Sequence, residues 1–473
     1  MNIGNQSKIP AEELTKVLTQ TDKLSVTSSG NLKIAGCLAK DLLARFGSPL
    51  YVVSEATLRE NYRRVHRAFS ELWPSPINVL YAIKANNNLA IRAIMNQEGA
   101  GGDCFGEGEL HATFAGGAAP SKIVLNGSNK RPNLLRKAIE MGVAVNIDAE
   151  DELDYIIDFA EELNTTARAK IRLKVYTEKY NAVTSDYFGI SHLADYVKRV
   201  KWGFSLDAAE KIIQRILDSP RIDFLGYHFH IGRSSSDILF TKTWSETLAE
   251  MASNLHQKTG YTPTVINVGG GWPRERDPES RSIQLNPTSI EEYASAACSN
   301  LLKGFEKAQL PIPELWLEPG RYIVGNAVVF LATVGAVKND MGFTWVNLDA
   351  STNNLMRIDT SQSAHHIFPA SGMHREANIK TILVGETCAD SVFSPALNLP
   401  AVQRGEPIVM LDAGMYAETT SNQFNGIPRP ATVLVNGDEA EVIKERETVE
   451  DVFVKHRIPT RLLEKNKLRG EDK

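Results

Sequence analysis

Between Asn78 and Asn86 the run Val79–Leu80–Tyr81–Ala82–Ile83–Lys84–Ala85 is apolar except for one lysine near its end. Such a run, closed by Asn86–Asn87–Asn88, predicts a buried strand with Lys84 at its mouth. An ammonium there is poorly solvated, which predicts a lowered pKa. A lysine with an available lone pair forms Schiff bases with carbonyl compounds. Taken alone, the run reads better as a strand-end lysine snorkelling to a surface ion pair. The rest of the chain favours chemistry.

Two further segments end apolar runs with groups suited to an anion. Gly269–Gly270–Gly271 follows Val265–Val268, and Glu318–Pro319–Gly320–Arg321 follows Leu315–Leu317. Adjacent glycines let backbone N–H groups approach an anion closely, and a guanidinium binds two phosphate oxygens at once. In His228–Phe229–His230–Ile231–Gly232 the two histidines face one side of a strand. His230, nearer the strand's end, is placed to stack on a cofactor ring. A two-histidine metal site is the competing reading, with no further ligand at metal spacing. Glu318 ends an apolar strand and requires a partner. That partner is either Arg321 or the protonated nitrogen of a pyridoxal ring, which then serves as an electron sink.

The elements that position these residues are legible as a pattern. Eight strand-like runs alternate with helical segments: Val79–Lys84, Gly102–Phe105, Lys122–Asn126, Ala144–Asp148, Lys170–Tyr176, Phe224–Ile231, Val265–Val268 and Leu315–Glu318. Amphipathic stretches such as Asp151–Leu163 and Ala208–Leu217 lie between them. Eight such repeats predict a (β/α)8 barrel, whose active site sits at the C-terminal ends of its strands and whose phosphate site often follows the seventh and eighth. After Arg321 the runs Val328–Val337, Phe343–Leu348, Thr381–Val384, Ile408–Asp412 and Thr432–Val435 are separated by turn residues. They predict a mostly antiparallel β domain. Ser25–Ile34 predicts a hairpin of that same sheet, so that the barrel is inserted between two pieces of the β domain. The expected division is 1–50 for the N-terminal piece, 51–325 for the barrel, and 326–473 for the C-terminal β domain with a polar, frayed tail. Residues 177–200 form a polar segment without a clear element.

Bulk properties exclude several classes. The 473 residues are 42% apolar and 23% charged, with a formal net charge of −5 and no dense basic block, which argues against nucleic acid as a partner. Met1 to Asp22 lacks the order of a signal peptide, and no apolar run has the length of a membrane span. Cys37, Cys104, Cys298 and Cys388 are scattered without metal spacing, which predicts a reduced, cytoplasmic chain and no metal.

In order along the chain, these motifs resemble the fold-type III pyridoxal-phosphate-dependent decarboxylases, most closely the diaminopimelate decarboxylase branch. The resemblance runs from about Ser25 to Val454. It includes Tyr81–Asn86, Gly106–Leu110, His228–Gly232, the Gly269 triplet, Glu318–Arg321, Gly385–Cys388 and Asp412–Tyr416. It implies a barrel joined to a β domain and pyridoxal 5′-phosphate as cofactor. Lys84 then matches the cofactor-bearing lysine, His230 the ring-stacking residue, and Glu318 the partner of the ring nitrogen. Gly269, Gly270, Gly271, Gly320, Arg321 and Tyr416 match phosphate or substrate contacts. Cys388 matches a proton donor supplied by a second subunit, so the resemblance implies a homodimer with shared sites.

The departures from the pattern lie around the distal end of the substrate. Arg233, followed by Ser234, Ser235 and Ser236, stands where the family has a phosphate-binding serine. Ala389, followed by Asp390, stands where the family has a substrate-binding glutamate. Arg357–Ile358–Asp359–Thr360–Ser361 keeps the arginine of another substrate motif but replaces its tyrosine with Ser361. Losing a buried hydrogen-bond partner changes substrate preference. The expected activity is therefore decarboxylation of an amino acid by a diaminopimelate decarboxylase-like enzyme with an altered distal pocket, as in specialised metabolism. The alternative is decarboxylation of meso-diaminopimelate to L-lysine. A pyridoxal-phosphate racemase and a catalytically silent regulatory relative are remoter, because Lys84 and Cys388 are both present.

Overall fold

The computed structural model describes residues 8–184, 192–232 and 235–467. Eight parallel strands close into a barrel: β1 (Ile77–Ala82), β2 (Gly101–Cys104), β3 (Ile123–Leu125), β4 (Ala144–Ile147), β5 (Ala167–Arg172), β6 (Ile222–His228), β7 (Val265–Asn267) and β8 (Glu314–Leu317), with β8 pairing back onto β1. Each expected strand is present. All eight end one to four residues earlier than the apolar runs do, because the chain leaves the ladder as soon as it reaches the rim. Lys84 consequently lies in a 3-10 turn, Ile83–Ala85, just past β1. His230 likewise lies two residues past β6.

Helices cover the barrel from outside. Glu150–Glu162 and Leu206–Leu217 match the two amphipathic stretches and bury Leu153, Ile156, Ile212 and Ile213. Ile290–Lys307 begins in a capping box in which Ser289 and Glu292 satisfy each other's backbone N–H, fixing where the helix starts. In the polar segment, a 3-10 turn (Glu178–Ala182) and a helix (Leu193–Arg199) flank residues 185–191, which lie outside the described residues. Arg233 and Ser234 lie outside them too. The expected frayed tail is helical over Thr460–Lys467.

The β domain is a nine-stranded sheet. At its centre, Val328–Asp340 runs antiparallel to Leu50–Ser54, and Leu50–Ser54 runs parallel to Ala431–Asn436. The barrel is thus inserted between pieces of this domain, but the inserted edge differs from the expectation. The hairpin forms, with Leu24–Val26 antiparallel to Leu32–Ile34, yet it pairs with Cys37–Leu38 in its own three-stranded sheet. Its buried Leu32 and Ile34 pack with Val52, Leu331, Val409 and Val433, so it covers the large sheet face to face. Leu50–Ser54 is the strand that joins that sheet. The strands Phe343–Leu348, Ile367–Pro369, Ile379–Val384, Val392–Leu399, Pro407–Met410 and Glu439–Lys444 complete it.

One arginine ties the halves together. Arg276, in the loop after β7, donates to Asp22 Oδ2 at 2.9 Å, to Asp412 Oδ1 at 3.1 Å and to the Val17 carbonyl at 2.7 Å. All three ionised side chains are buried. The guanidinium outweighs burial and holds the Asp22 carboxyl below its ordinary value. Arg276→Met leaves two uncompensated buried carboxylates and should destabilise the protein by about 3–5 kcal/mol, seen as a lowered thermal midpoint.

Candidate active site

The C-terminal mouth of the barrel opens into a cleft of about 250 Å³ lined by Lys84, Phe105, Arg172, Trp202, His230, Gly271, Glu318, Gly320, Arg321 and Tyr416, with Ala82 and Gly232. Seven of the residues expected at the site meet there: Lys84, His230, Gly271, Glu318, Gly320, Arg321 and Tyr416. Of the triplet, Gly271 lines the cleft, and Gly269 and Gly270 stand directly behind it.

Lys84 keeps 28% of its side chain exposed, lies 4.8 Å from the Phe105 ring centroid, and donates from Nζ to Asp103 Oδ2. The expected lowering of its pKa is not what the structure shows. Burial disfavours the ammonium, but Asp103, Tyr416 and Glu318 outweigh burial and raise the pKa. The countercharge comes from the end of the neighbouring strand, where the Lys84 run gives no sign of it.

Glu318 is held by the barrel interior and not by Arg321. Its Oε1 accepts from Asn267 at 2.7 Å and from Asn126 at 3.2 Å, and its Oε2 lies 3.2 Å from His228 Nε2. Burial opposes its ionisation, but His228 and the Lys84 ammonium prevail and keep the pKa below the ordinary carboxylate value. Asn126 donates also to Asp103 Oδ1 at 2.6 Å, so a single amide bridges both buried acids. Burial, and then the adjacent Glu318, raises the Asp103 pKa.

His230 is oriented by backbone. The Gly270 N–H donates to its Nδ1 at 3.2 Å, which places the proton of the neutral ring on Nε2. Burial, with Arg172 and Lys84 nearby, lowers its pKa well below the usual histidine value, so the flat ring is uncharged. The Gly269 N–H is also committed, donating to Asn267 Oδ1 at 2.9 Å. The triplet is required sterically. A Cβ on Gly270 would lie 1.9 Å from the Glu318 carbonyl oxygen, and Gly269 has φ +66° with a Cβ position 2.8 Å from the His230 ring.

The opposite wall is a stack of cations on a phenol. The guanidinium carbons of Arg321 and Arg357 lie 5.5 and 5.3 Å from the Tyr416 ring centroid. Both arginines are bound by Glu279, which is buried, and Arg321 also donates to Asp277 Oδ1 at 3.2 Å. Arg321 and Arg357 overcome burial and depress the Glu279 pKa to about 2. Tyr416 adopts φ +55°, unusual for a non-glycine residue, and its N–H donates to the Ala85 carbonyl at 2.8 Å. The β domain thus fixes this ring beside the lysine turn.

The remaining expected residues are elsewhere in this chain. Ser361 is buried near Arg357, and its hydroxyl has no hydrogen-bond partner among the described residues. Cys388, Ala389 and Asp390 are exposed on the loop between Ile379–Val384 and Val392–Leu399 and do not line the cleft. The Cys388 N–H donates to Asn425 Oδ1 at 3.2 Å. Among the described residues no group of three or more histidine, cysteine or acidic side chains is arranged to hold a metal. No helix there is long and apolar enough to cross a membrane.

An amine, a neutral aromatic face, an ionised carboxylate and a strand-end glycine cradle thus converge on one cleft. Arg172 lines it too, with one buried Nη that has no partner among the described residues. These groups fit pyridoxal phosphate: an amine for its aldehyde, a flat surface for its ring, an acid for its nitrogen, and glycine backbone with a cation for its phosphate.

Comparison with known proteins agrees with this fit. Residues 55–325 match the family model described as pyridoxal-dependent decarboxylase, pyridoxal binding domain. The chain is 32% identical to a diaminopimelate decarboxylase of Methanothermobacter thermautotrophicus, over 93% of this chain and 99% of that protein. It is 29% identical to the Bacillus subtilis diaminopimelate decarboxylase, over 89% and 94%. The crystal structure of the M. jannaschii diaminopimelate decarboxylase superposes with a TM-score of 0.84 at 29% identity, covering 93% of this chain and 99% of that one. A second structure of that enzyme, in complex with L-lysine, gives the same TM-score at 28% identity.

Proposed function

The chain belongs to the pyridoxal-dependent decarboxylases, carboxy-lyases that act with pyridoxal phosphate, and from that premise we propose that it decarboxylates a diaminopimelate-like amino acid through an altered distal pocket. The observation that carries the reading is the cleft at the barrel mouth, where Lys84, His230, Glu318 and the Gly269 triplet converge. Bound pyridoxal phosphate supplies the electron sink for the bond to the departing carboxylate.

In this reading Lys84 holds the cofactor covalently and later releases the product. His230 presents an uncharged ring to one face of the cofactor. Glu318, kept ionised by His228 and Asn267, holds a proton on the ring nitrogen. Gly269 to Gly271, Gly320 and Arg321 would hold the phosphate. Arg321, Arg357 and Tyr416 bound the substrate end. Cys388 returns a proton to the α-carbon from a second copy of the chain; its exposed position outside its own cleft suits a shared site in a homodimer.

The altered distal pocket rests on Ala389 and Ser361, since neither provides the side chain of the family pattern. Asp390, one residue on, offers an anion for a distal ammonium. Arg233, which stands where the family has a phosphate-binding serine, and Ser234 behind it lie outside the described residues. The second reading, meso-diaminopimelate decarboxylation to L-lysine, is favoured by the near full-length similarity to enzymes of that name.

Carbon dioxide release from the holoenzyme separates them. On a panel of meso-diaminopimelate and the D- and L-forms of lysine, ornithine and arginine, an altered pocket should lower kcat/KM for meso-diaminopimelate by about tenfold to a hundredfold relative to the M. jannaschii enzyme. Turnover of meso-diaminopimelate at that enzyme's rate, with the other amino acids inert, would overturn the altered pocket and establish the second reading.

A further inference from the structure

Glu279 is a buried acid at the edge of the cleft to which the proposed chemistry gives no part. It sits in the 3-10 turn Pro278–Ser280, in the loop after β7, and is 2% exposed. Each of its oxygens takes one guanidinium: Oε2 accepts from Arg321 Nη2, and Oε1 accepts from Arg357 Nε. Asp277, which caps the turn, accepts from Arg321 Nη1 at 3.2 and 3.3 Å. Two carboxylates therefore face the two guanidiniums that stand against the Tyr416 ring.

The turn is fixed to the segment that carries Arg357. The Glu279 N–H donates to Asp277 Oδ1 at 3.0 Å, and the Ala364 N–H donates to the Pro278 carbonyl at 2.8 Å. Arg281 Nε donates to the Ser361 carbonyl at 3.2 Å. Glu279 and Arg357 are thus held in one piece of structure, joined across the loop after β7 and the β domain.

Two guanidiniums on one aromatic face form a seat for a carboxylate, each giving an N–H to one oxygen. Glu279 already bridges them in this way, from behind the wall: Arg321 lines the cleft and Glu279 does not. A second carboxylate, brought to the same pair from the cleft, has to share these donors with a like charge. Like charges set side by side cost affinity, and a site rejects a ligand by that means as surely as by a clash.

We propose that Glu279 is a specificity-determining residue: an internal carboxylate that fills the Arg321–Arg357 pair, so that this chain acts on amino acids carrying no carboxylate at the distal end. This rests on the proposed function, in which these arginines bound the substrate end, and it states how the distal pocket is altered. Lysine, which lacks the second carboxylate of diaminopimelate, represents the accepted class.

The test is calorimetric binding of two acids to holoenzyme. Pimelate has the carbon skeleton and both carboxylates of diaminopimelate; hexanoate has the skeleton and single carboxylate of lysine. Neither carries an amine, so neither reacts with the cofactor. Wild-type holoenzyme should bind pimelate no tighter than hexanoate. Glu279→Gln keeps the shape and removes the charge. It should bind pimelate about tenfold to a hundredfold tighter than wild type does, with hexanoate affinity unchanged. A lower melting temperature without gained pimelate affinity would show that Glu279 only ties the loop to the β domain, and would overturn the proposal. Weakened pimelate binding would overturn it too, by showing that Glu279 orients the arginines for a substrate carboxylate. If Glu279→Gln does not fold, the wild-type pair decides: pimelate bound about tenfold tighter than hexanoate overturns the proposal, and parity upholds it. Wild-type protein that takes up pyridoxal phosphate without the absorbance of a lysine-bound cofactor would instead overturn the reading of the site itself.

Discussion

Replacing Lys84 with alanine should reduce carbon dioxide release by roughly 10³-fold or more, because in the proposed function covalent attachment of the cofactor and return of the free product both depend on this amine. The expectation rests on position. Lys84 is the amine that lines the cleft, it projects from a turn pinned on one side by β1 and on the other by the Tyr416 N–H, and Asp103 holds its Nζ in place. The loss should fall on kcat, with pyridoxal phosphate still bound noncovalently through the glycine cradle and Glu318. Borohydride reduction of the wild-type holoenzyme, followed by peptide mass spectrometry, should place the cofactor mass on the peptide containing Lys84. Trapping at any other lysine would displace Lys84 from its role.

A mixture of two inactive variants should recover activity. Cys388→Ala is expected to lower turnover about 10²- to 10⁴-fold, the usual contribution of a positioned proton donor. In Lys84→Ala subunits the cysteine is intact, and in Cys388→Ala subunits the lysine is intact. If each site takes its lysine from one copy and its cysteine from the other, a hybrid dimer has one complete site and one doubly deficient site. Random reassortment of equal amounts then yields about a quarter of the wild-type activity. The exposed loop that carries Cys388, away from its own cleft, is the structural basis of this expectation. If both residues act within one chain, mixing restores nothing.

The parts of the site that the sequence makes legible are those at strand ends followed by punctuation. Lys84 before three asparagines, the Gly269 triplet, and Glu318 before Pro-Gly-Arg all mark where the chain leaves the barrel rim, and the order of the runs along the chain brings them together. The polar lining inside the barrel is harder to see. Asp103, Asn126, Asn146, Asn267 and Lys170 each fall within or just after a strand of three to six residues, too short for a twofold alternation to stand out. Their presence is visible only as single polar residues interrupting apolar runs. The direction of the Lys84 shift goes with them, because Asp103 decides it. Glu279 is hidden for another reason: it lies in a loop far along the chain from Arg321 and Arg357, and only the closed fold brings the three together. Leu50–Ser54 was not recognisable as a strand of the large sheet because its ladder partners are contributed by the other end of the chain.

That last pairing bears on how the protein emerges from the ribosome. Every strand of the barrel lies between Ile77 and Leu317, so the barrel can close as soon as its own residues are available. Leu50–Ser54 is made earlier, yet the first strand it pairs with begins at Val328 and its parallel neighbour at Ala431. At about 5–20 residues per second, the roughly 270 residues between Ser54 and Val328 take about 14–55 s to synthesise. Throughout that interval an apolar strand with both edges unpaired trails outside the ribosome while the barrel behind it is still being made. This nascent segment, and not the barrel, is the point at which a chaperone or an unwanted partner chain has longest access to the polypeptide.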